Sequence, residues 1–167
     1  MNFQKYTRKS IEAVNSAQSI ALDYGNPELT QLHLFLALLK QDEGLIGGLL
    51  GKITNDFNML VSETEQAVSH LPRASGTDIM IADDLRKALI SAEKQADYMK
   101  DSFVSVEHLM LGMFEEPSDG IKALFKKFDI TKNEFLKVLK EVRGNSNVTD
   151  EDPENTYDVL KKYGRDL

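Results

Sequence analysis

One pattern occurs twice in this chain, and the second copy is offset from the first by 75 positions. Residues 30–39 and 105–114 carry it, and His33 corresponds to His108. The register holds without a gap on both sides of the histidines. The other matched pairs are Ala13 with Ala88, Ser16 with Ser91, Ala17 with Ala92, Ala21 with Ala96, Thr30 with Ser105, Leu34 with Leu109, Leu36 with Leu111, Ile46 with Ile121, Leu49 with Leu124 and Lys52 with Lys127. A repeat of this length indicates a duplicated structural unit.

Each copy predicts four helices, because apolar residues recur at helical spacing between capping residues and breakers. In the first copy the helices run from Thr7 or Ser10 to Tyr24, from Thr30 to Leu39, over residues 45–50, and from Thr54 or Asn55 to His70. In the second they run from Asp83 or Asp84 to Met99, from Ser105, from Ser118, and from Thr131 to Gly144. Strand-like alternation is absent. We therefore predict an all-α fold of eight helices, with two four-helix repeats packed face to face about a pseudo-twofold axis.

The predicted boundaries follow the polar segments. The repeats span 1–72 and 79–143, and a polar connector joins them. Residues 144–153 are polar and acidic with little to bury, which predicts a flexible linker. A helical pattern returns at Tyr157, Leu160 and Tyr163. We interpret residues 154–167 as the start of a further module in a longer protein.

Composition excludes several classes of function. The formal charge is −7 and no large basic patch is present, so nucleic acid is not expected as a partner. The chain has no cysteine, which excludes disulfides and thiolate metal sites. Neither a signal peptide nor a stretch of about 20 apolar residues is found. We expect a cytoplasmic protein that does not bind membranes.

The glycine-rich segment from Gly44 to Thr54 invites comparison with a phosphate-binding loop. That loop needs a glycine, then four residues of any type, then Gly-Lys followed by a serine or threonine hydroxyl. Here Ile46 and Ile53 occupy those two positions, and no strand precedes the segment. The segment instead favours a short helix that packs closely against its neighbours.

His33 and His108 lie on apolar helices, and only the distant His70 is left as a third imidazole. A zinc site needs three or four ligands. The shared position of the two histidines favours equivalent buried hydrogen bonds that stabilise the fold, with metal ligation as the alternative. No metal site is predicted.

Asp101 and Glu107 invite comparison with a catalytic carboxylate pair. No other polar residues converge on them in the sequence, and no nucleophile with its base accompanies them. We therefore predict no catalytic residues and no enzymatic activity in this chain. On these residues alone it is an α-helical interaction module.

The repeated motifs resemble a known family. Phe3-x-x-Tyr6-Thr7, Ala13-x-x-x-Ala17-Gln and 31–39 are similar to the first half of the Clp N-terminal domain, and residues 102–109 are similar to its second half. The resemblance covers residues 1 to about 143. It implies an eight-helix pseudo-dimer of two four-helix repeats that recognises substrates and has no catalysis of its own.

The tail from Asp152 to Leu167 and the Leu71-Pro72 step resemble the disaggregase branch of this family. This implies a domain that binds unfolded or aggregated proteins and helps deliver them to the pore of a hexameric ATPase. ATP and magnesium, hexamer contacts and cooperation with the DnaK system would belong to the full-length protein, and the isolated domain is expected to be monomeric. The alternatives are an adaptor-docking domain of a protease unfoldase, or a stand-alone repeat protein that binds a small molecule.

The positions that the family resemblance implicates in substrate binding match Thr7, Asp101 and Glu107. Thr7 is also a plausible N-cap, and the two acids are plausible supports for the turn at Ser105. The first copy has Asn26 and Leu32 where the second has Asp101 and Glu107. We therefore expect a single acidic rim, beside an apolar groove whose walls the sequence does not name.

Overall fold

The computed structural model describes residues 3–76, 78–144, 147–149 and 151–154. Within these ranges the elements follow one another in two sets of four helices, each set including one short strand. The first set is α1 (Arg8–Asp23), β1 (Glu28–Leu29), α2 (Gln31–Lys40), α3 (Leu45–Ile53) and α4 (Phe57–Ser69). The second is β2 (Met80–Ile81), α5 (Asp83–Tyr98), α6 (Val106–Glu115), α7 (Asp119–Lys127) and α8 (Lys132–Arg143). The predicted class and the eight helices are confirmed.

Helix starts follow the capping residues closely. The side chains of Thr7, Ser118 and Thr131 accept hydrogen bonds from the first turns of α1, α7 and α8, which satisfies backbone N–H groups that would otherwise lack a partner. The prediction for α4 was wrong: its cap is Asp56, whose carboxylate accepts from the Met59 N–H. Thr54 instead ends α3 as its C-cap.

Two parallel backbone pairings show the pseudo-twofold relation. β1 pairs with β2, so that Leu29 faces Ile81. An isolated parallel bridge joins Tyr6 to Val104. Each of these pairs maps onto the other when one repeat is exchanged for the other. These strands were not predicted, because two residues are too few to show an alternating pattern.

The core centres on α2 and α6. Every residue of 31–39 is buried on α2, and every residue of 106–113 is buried on α6. Helices that are buried on all sides lie inside a fold and not on its surface. α6 packs closely on α5 at Gly112, where a Cβ atom would lie 2.2 Å from the Ala88 carbonyl oxygen. The two repeats share this interior, with α3 packed against both α6 and α8.

The glycine-rich segment forms α3, as predicted, with Gly44 as its N-cap. Gly25 ends α1 in the left-handed region, with a φ of 70°, a conformation that glycine adopts without steric penalty. No helix in the described part of the chain is long and apolar enough to cross a membrane.

The segment after α8 is more buried than its sequence predicts. Within 144–153 little burial was expected, yet Val148 and Pro153 are buried, and so is Glu154 immediately after them. Backbone hydrogen bonds join Val148 to Ser102 and Glu151 to Arg8. The described residues of this segment therefore contact both repeats. Residues 155–167, for which a helix and a further module were predicted, lie outside the described residues.

Candidate functional site

Each histidine organises the start of the helix that carries it. The backbone N–H of Thr30 donates to Nδ1 of His33 at 2.9 Å, and that of Ser105 donates to Nδ1 of His108 at the same distance. Because Nδ1 accepts, the ring proton is on Nε2. Burial lowers the pKa of His33 to about 4, so this ring is neutral at pH 7. The predicted structural role of the two histidines is confirmed.

The copies differ in what receives the Nε2 proton. His33 Nε2 lies 2.8 Å from Asn26 Oδ1, whereas His108 Nε2 lies 2.7 Å from Asp101 Oδ2. A neutral amide in the first repeat is thus replaced by a carboxylate in the second. All of these side chains are buried. The second copy therefore contains a buried acid that needs further partners.

Arg143 supplies the compensating charge for this acid. Its guanidinium pairs with Asp101 and lies 3.3 Å from Glu107 Oε2. Burial alone would raise the pKa of Asp101, but the hydrogen bonds from His108 and Arg143 outweigh it and hold that pKa well below its usual range. Asp101 is consequently ionised at neutral pH. In the first copy Arg143 corresponds to Val68, and Glu107 corresponds to Leu32.

Thr7 lies at the other end of the same network. Its hydroxyl caps α1 by accepting from Ser10, and it donates to Glu154 Oε2 at 2.8 Å. The same Glu154 oxygen accepts from the backbone N–H of Val106, the first residue of α6, at 3.1 Å. A single carboxylate thus joins the starts of two helices, one from each repeat.

Burial, together with the neighbouring charge of Glu107, raises the pKa of Glu154 to about 7 against the opposing hydrogen bonds from Thr7 and Val106. One oxygen of each carboxylate, Oε1 in both cases, is buried without a hydrogen-bond partner among the described residues. The Oε1 atom of Gln41 is in the same situation. Lys9, Gln41 and Glu154 line a small cavity of about 50 Å³ beside α3.

The structure therefore brings the three predicted site residues together. Asp101 and Glu107 share Arg143, and Thr7 contacts Glu154 next to Glu107. None of the three residues is exposed in this arrangement: Thr7 and Glu107 are 0% exposed, and Asp101 is 7% exposed as a whole residue with a 0% exposed side chain. The capping interpretation of Thr7 is confirmed, because its hydroxyl accepts from the Ser10 N–H.

Arg143, Val148 and Glu154 were missed by sequence reasoning. A signal existed for Arg143, because positions 26, 32 and 68 are neutral in the first copy while positions 101, 107 and 143 are all charged in the second. Such a joint change indicates a buried ion network. No comparable signal exists for Val148 or Glu154, since no matching acid or repeat position marks them.

An apolar groove borders the network. It has a volume of about 400 Å³ and is lined mainly by Met99, Leu136 and Leu139, with Lys140, Arg143, Gly144 and Asn147 at its polar edge. These residues supply the walls that the sequence does not name. Among the described residues, no cluster of three or more His, Cys, Asp or Glu side chains is arranged to hold a metal ion.

Comparisons with known proteins agree with this architecture. Residues 5–128 match the family described as Clp repeat (R) N-terminal domain. The chain is 38% identical over 172 aligned residues to the chaperone protein ClpB of Clostridium tetani, covering 100% of this chain and 20% of that protein. It is 37% identical to ClpB of Bacillus cereus over the same length, again covering 100% and 20% of the two chains. The chain thus spans about a fifth of the length of these relatives.

The fold is similar to the crystal structure of the Hsp104 N-terminal domain from Candida albicans. The TM-score is 0.80 at 20% sequence identity, and the match covers 90% of this chain and 99% of the other. The predicted architecture of two four-helix repeats is therefore the architecture of a solved domain.

Proposed function

The chain belongs to the Clp repeat N-terminal domain family, and on this premise we propose that it is the client-binding domain of a ClpB-type disaggregase. Its clients are unfolded or aggregated polypeptides, which it helps deliver to an ATPase ring. ATP and magnesium binding, hexamer formation, cooperation with the DnaK system and a cytoplasmic location are part of this proposal for the longer protein. The domain itself binds without catalysis.

The observation that carries the proposal is the apolar groove beside the charge network of the second copy. Met99 and Leu136 are half-buried and offer apolar surface to which the apolar segments of misfolded chains can bind, and the buried Leu139 forms the floor between them. Arg143 and Asn147 give the groove a polar edge. A shallow groove of this composition fits short apolar segments of many sequences.

The three predicted site residues are connected to the polar edge of this groove, either directly through Arg143 or through Glu154. Asp101 orients Arg143 at the edge of the groove, and Glu107 fixes the same guanidinium from the α6 side. Thr7 joins the network through Glu154. We propose that Thr7, Asp101 and Glu107 belong to the client-binding surface, and that a client reaches them when the covering groups move.

Weak binding suits this role, because a bound client must be released for threading. Several such domains tethered to one ring would raise the overall avidity without tightening any single contact. Strong binding at one domain would instead hold the client outside the pore.

The experiment compares two equivalent positions of the duplication. Leu136 on α8 corresponds to Val61 on α4, and both are half-buried. Leu136→Ser should weaken binding of fluorescently labelled, unfolded casein about five- to tenfold, since it removes apolar surface from the groove. Val61→Ser should leave this affinity unchanged.

Fluorescence anisotropy gives the dissociation constants, and circular dichroism checks that both variants stay folded. Equal effects of the two substitutions on casein affinity would contradict the assignment of this groove. An absence of casein binding by the unmodified chain would contradict the proposed function itself.

A further inference from the structure

Residues 147–149 and 151–154 are bound to the domain through main-chain hydrogen bonds and a buried apolar side chain, as a peptide ligand would be. The Val148 N–H donates to Asp101 Oδ1 at 2.8 Å, and the Val148 carbonyl accepts from the Ser102 N–H at 2.7 Å. The Glu151 carbonyl accepts from the Arg8 N–H at 2.9 Å. The Val148 side chain is completely buried. Main-chain hydrogen bonds with one apolar anchor are the usual means of recognising extended peptides.

Glu154 completes this attachment. Its carboxylate binds the Thr7 hydroxyl and the Val106 N–H, so it covers one of the residues proposed to bind clients and the start of α6. It also lies beside Glu107, the charge of which acts on it directly. Thr7 and Glu107 are both 0% exposed with this segment in place.

The equivalent helix start in the first repeat needs no residue from outside the eight helices. At the start of α2, the Gln31 N–H donates to the carboxylate of Asp84, a residue of α5. At the equivalent start of α6, the Val106 N–H donates to the carboxylate of Glu154, which lies outside the eight helices. The acceptor at one helix start thus belongs to the eight helices, and the acceptor at the other belongs to the segment that follows them.

We propose that residues 147–149 and 151–154 occupy the client surface as an intramolecular competitor, which a client must displace before it reaches Thr7 and Glu107. This inference rests on the proposed function. It adds that the affinity for clients is set by two terms, the contacts that the client makes and the stability of the docked segment.

The groups that become exposed when the segment is displaced determine which chemical groups of a client can bind there. Thr7 and the Val106 N–H are donors, whereas Asp101 Oδ1 and the unpartnered Glu107 Oε1 are acceptors. A main-chain amide supplies both an acceptor and a donor. An anionic group is disfavoured by the charge of Glu107. The site thus suits the backbone of an extended polypeptide, which is present in every unfolded client.

The test uses the whole 167-residue chain and a pair of substitutions in the same segment. Val148→Asp places a carboxylate at a buried position next to Asp101 and should release the segment. Glu151→Gln is the matched control, because the Glu151 side chain is exposed and its main-chain contact is unchanged. Amide hydrogen exchange at Val106 reports whether the segment is docked.

We expect Val148→Asp to accelerate exchange at Val106 and to tighten binding of unfolded casein at least fivefold, while Glu151→Gln changes neither. A synthetic peptide of residues 144–154, added to the Val148→Asp protein, should weaken casein binding again. Glu154→Ala provides a second release variant if Val148→Asp fails to fold.

Three results distinguish failure of the competition from failure of the proposed function. Fast exchange at Val106 with unchanged casein affinity would overturn the competition while leaving client binding intact. No casein binding by either protein, despite a released segment, would overturn the proposed function. Fast exchange at Val106 in the unmodified chain would show that the segment is not docked, and would overturn the inference directly.

Discussion

The guanidinium of Arg143 is paired with the carboxylate of Asp101 inside the protein, where the two side chains are only 5% and 0% exposed. The first repeat has Val68 and Asn26 at the equivalent positions, and it folds without any charge there. The same four-helix framework thus accommodates either uncharged or ionised side chains at these two positions. Burying the ionised pair costs desolvation energy, which the attraction between Arg143 and Asp101 must offset.

Removal of Arg143 alone should be strongly destabilising. Arg143→Met would leave Asp101 and Glu107 buried without their cation and should lower the free energy of unfolding by about 3–5 kcal/mol. The triple variant Asp101→Asn, Glu107→Leu, Arg143→Val reproduces the residues of the first copy and should be close to the unmodified chain. Urea unfolding at pH 7 measures both. A triple variant as unstable as Arg143→Met would show that the ionic network is required for folding.

Acid should destabilise the domain through His33. Its folded-state pKa of about 4 lies below the ordinary value of 6.5. Between these two values His33 is protonated in the unfolded chain but neutral in the folded domain. The contribution of neutral His33 to the free energy of unfolding is fully present above pH 6.5. It is lost as the pH falls towards 4, by about 3 kcal/mol in total. Thermal unfolding of the unmodified chain and of His33→Gln between pH 7.5 and 4.5 isolates it by difference. Parallel stability curves would exclude this role.

Glu154 should give the opposite dependence. Its pKa is raised from 4.5 to about 7, so docking of the segment is strongest below pH 4.5 and weakens as the pH rises through 7. The charged groups that face it are Lys9 on α1, Glu43 before α3, and Glu107 on α6.

From these pKa values, docking should be about tenfold stronger at pH 6 than at pH 8. Casein binding by the unmodified chain should therefore weaken up to about tenfold on acidification. Glu154→Gln cannot ionise, and its casein affinity should stay nearly constant over this range. An identical pH profile for the two proteins would assign the dependence to another group.

Gly112 should tolerate no side chain. A Cβ atom there would lie 2.2 Å from the Ala88 carbonyl oxygen and 3.0 Å from the Ala92 nitrogen, both of which belong to the α5 backbone. Gly112→Ala should cost about 2–3 kcal/mol of stability, because the two helices must separate. Gly48→Ala is the control: nothing lies within 4 Å of its added Cβ, and the change should stabilise α3 by about 0.5–1 kcal/mol. Chemical denaturation compares them.

The duplication made most of the fold predictable. His33 and His108 repeat together with Asn26 and Asp101, and equivalent positions in a repeat take equivalent hydrogen bonds. Helix starts were readable where one residue combines a capping side chain with the onset of an apolar stripe, as at Thr131. The start of α4 was missed because Thr54, Asn55 and Asp56 are all capping residues, and only the three-dimensional path of the chain selects Asp56.

The site was less predictable, because its parts interact across the whole sequence. Thr7 and Glu154 are separated by 147 positions, and their hydrogen bond depends on how α1 and α6 meet. A polar segment such as 147–154 has no periodic sequence pattern that would indicate that it binds to the helical domain. Its attachment relies on backbone groups and on one valine, which local sequence does not distinguish from a solvated loop.

The bridge from Tyr6 to Val104 and the pairing of Leu29 with Ile81 each join residues from different repeats. Neither repeat can keep both of its own strand residues paired without the other, so the halves are interlocked. A cut within residues 73–78 would yield two fragments that regain these pairings only by reassociating. We therefore expect the two repeats to unfold together, and this connector is the place to divide the domain for fragment complementation.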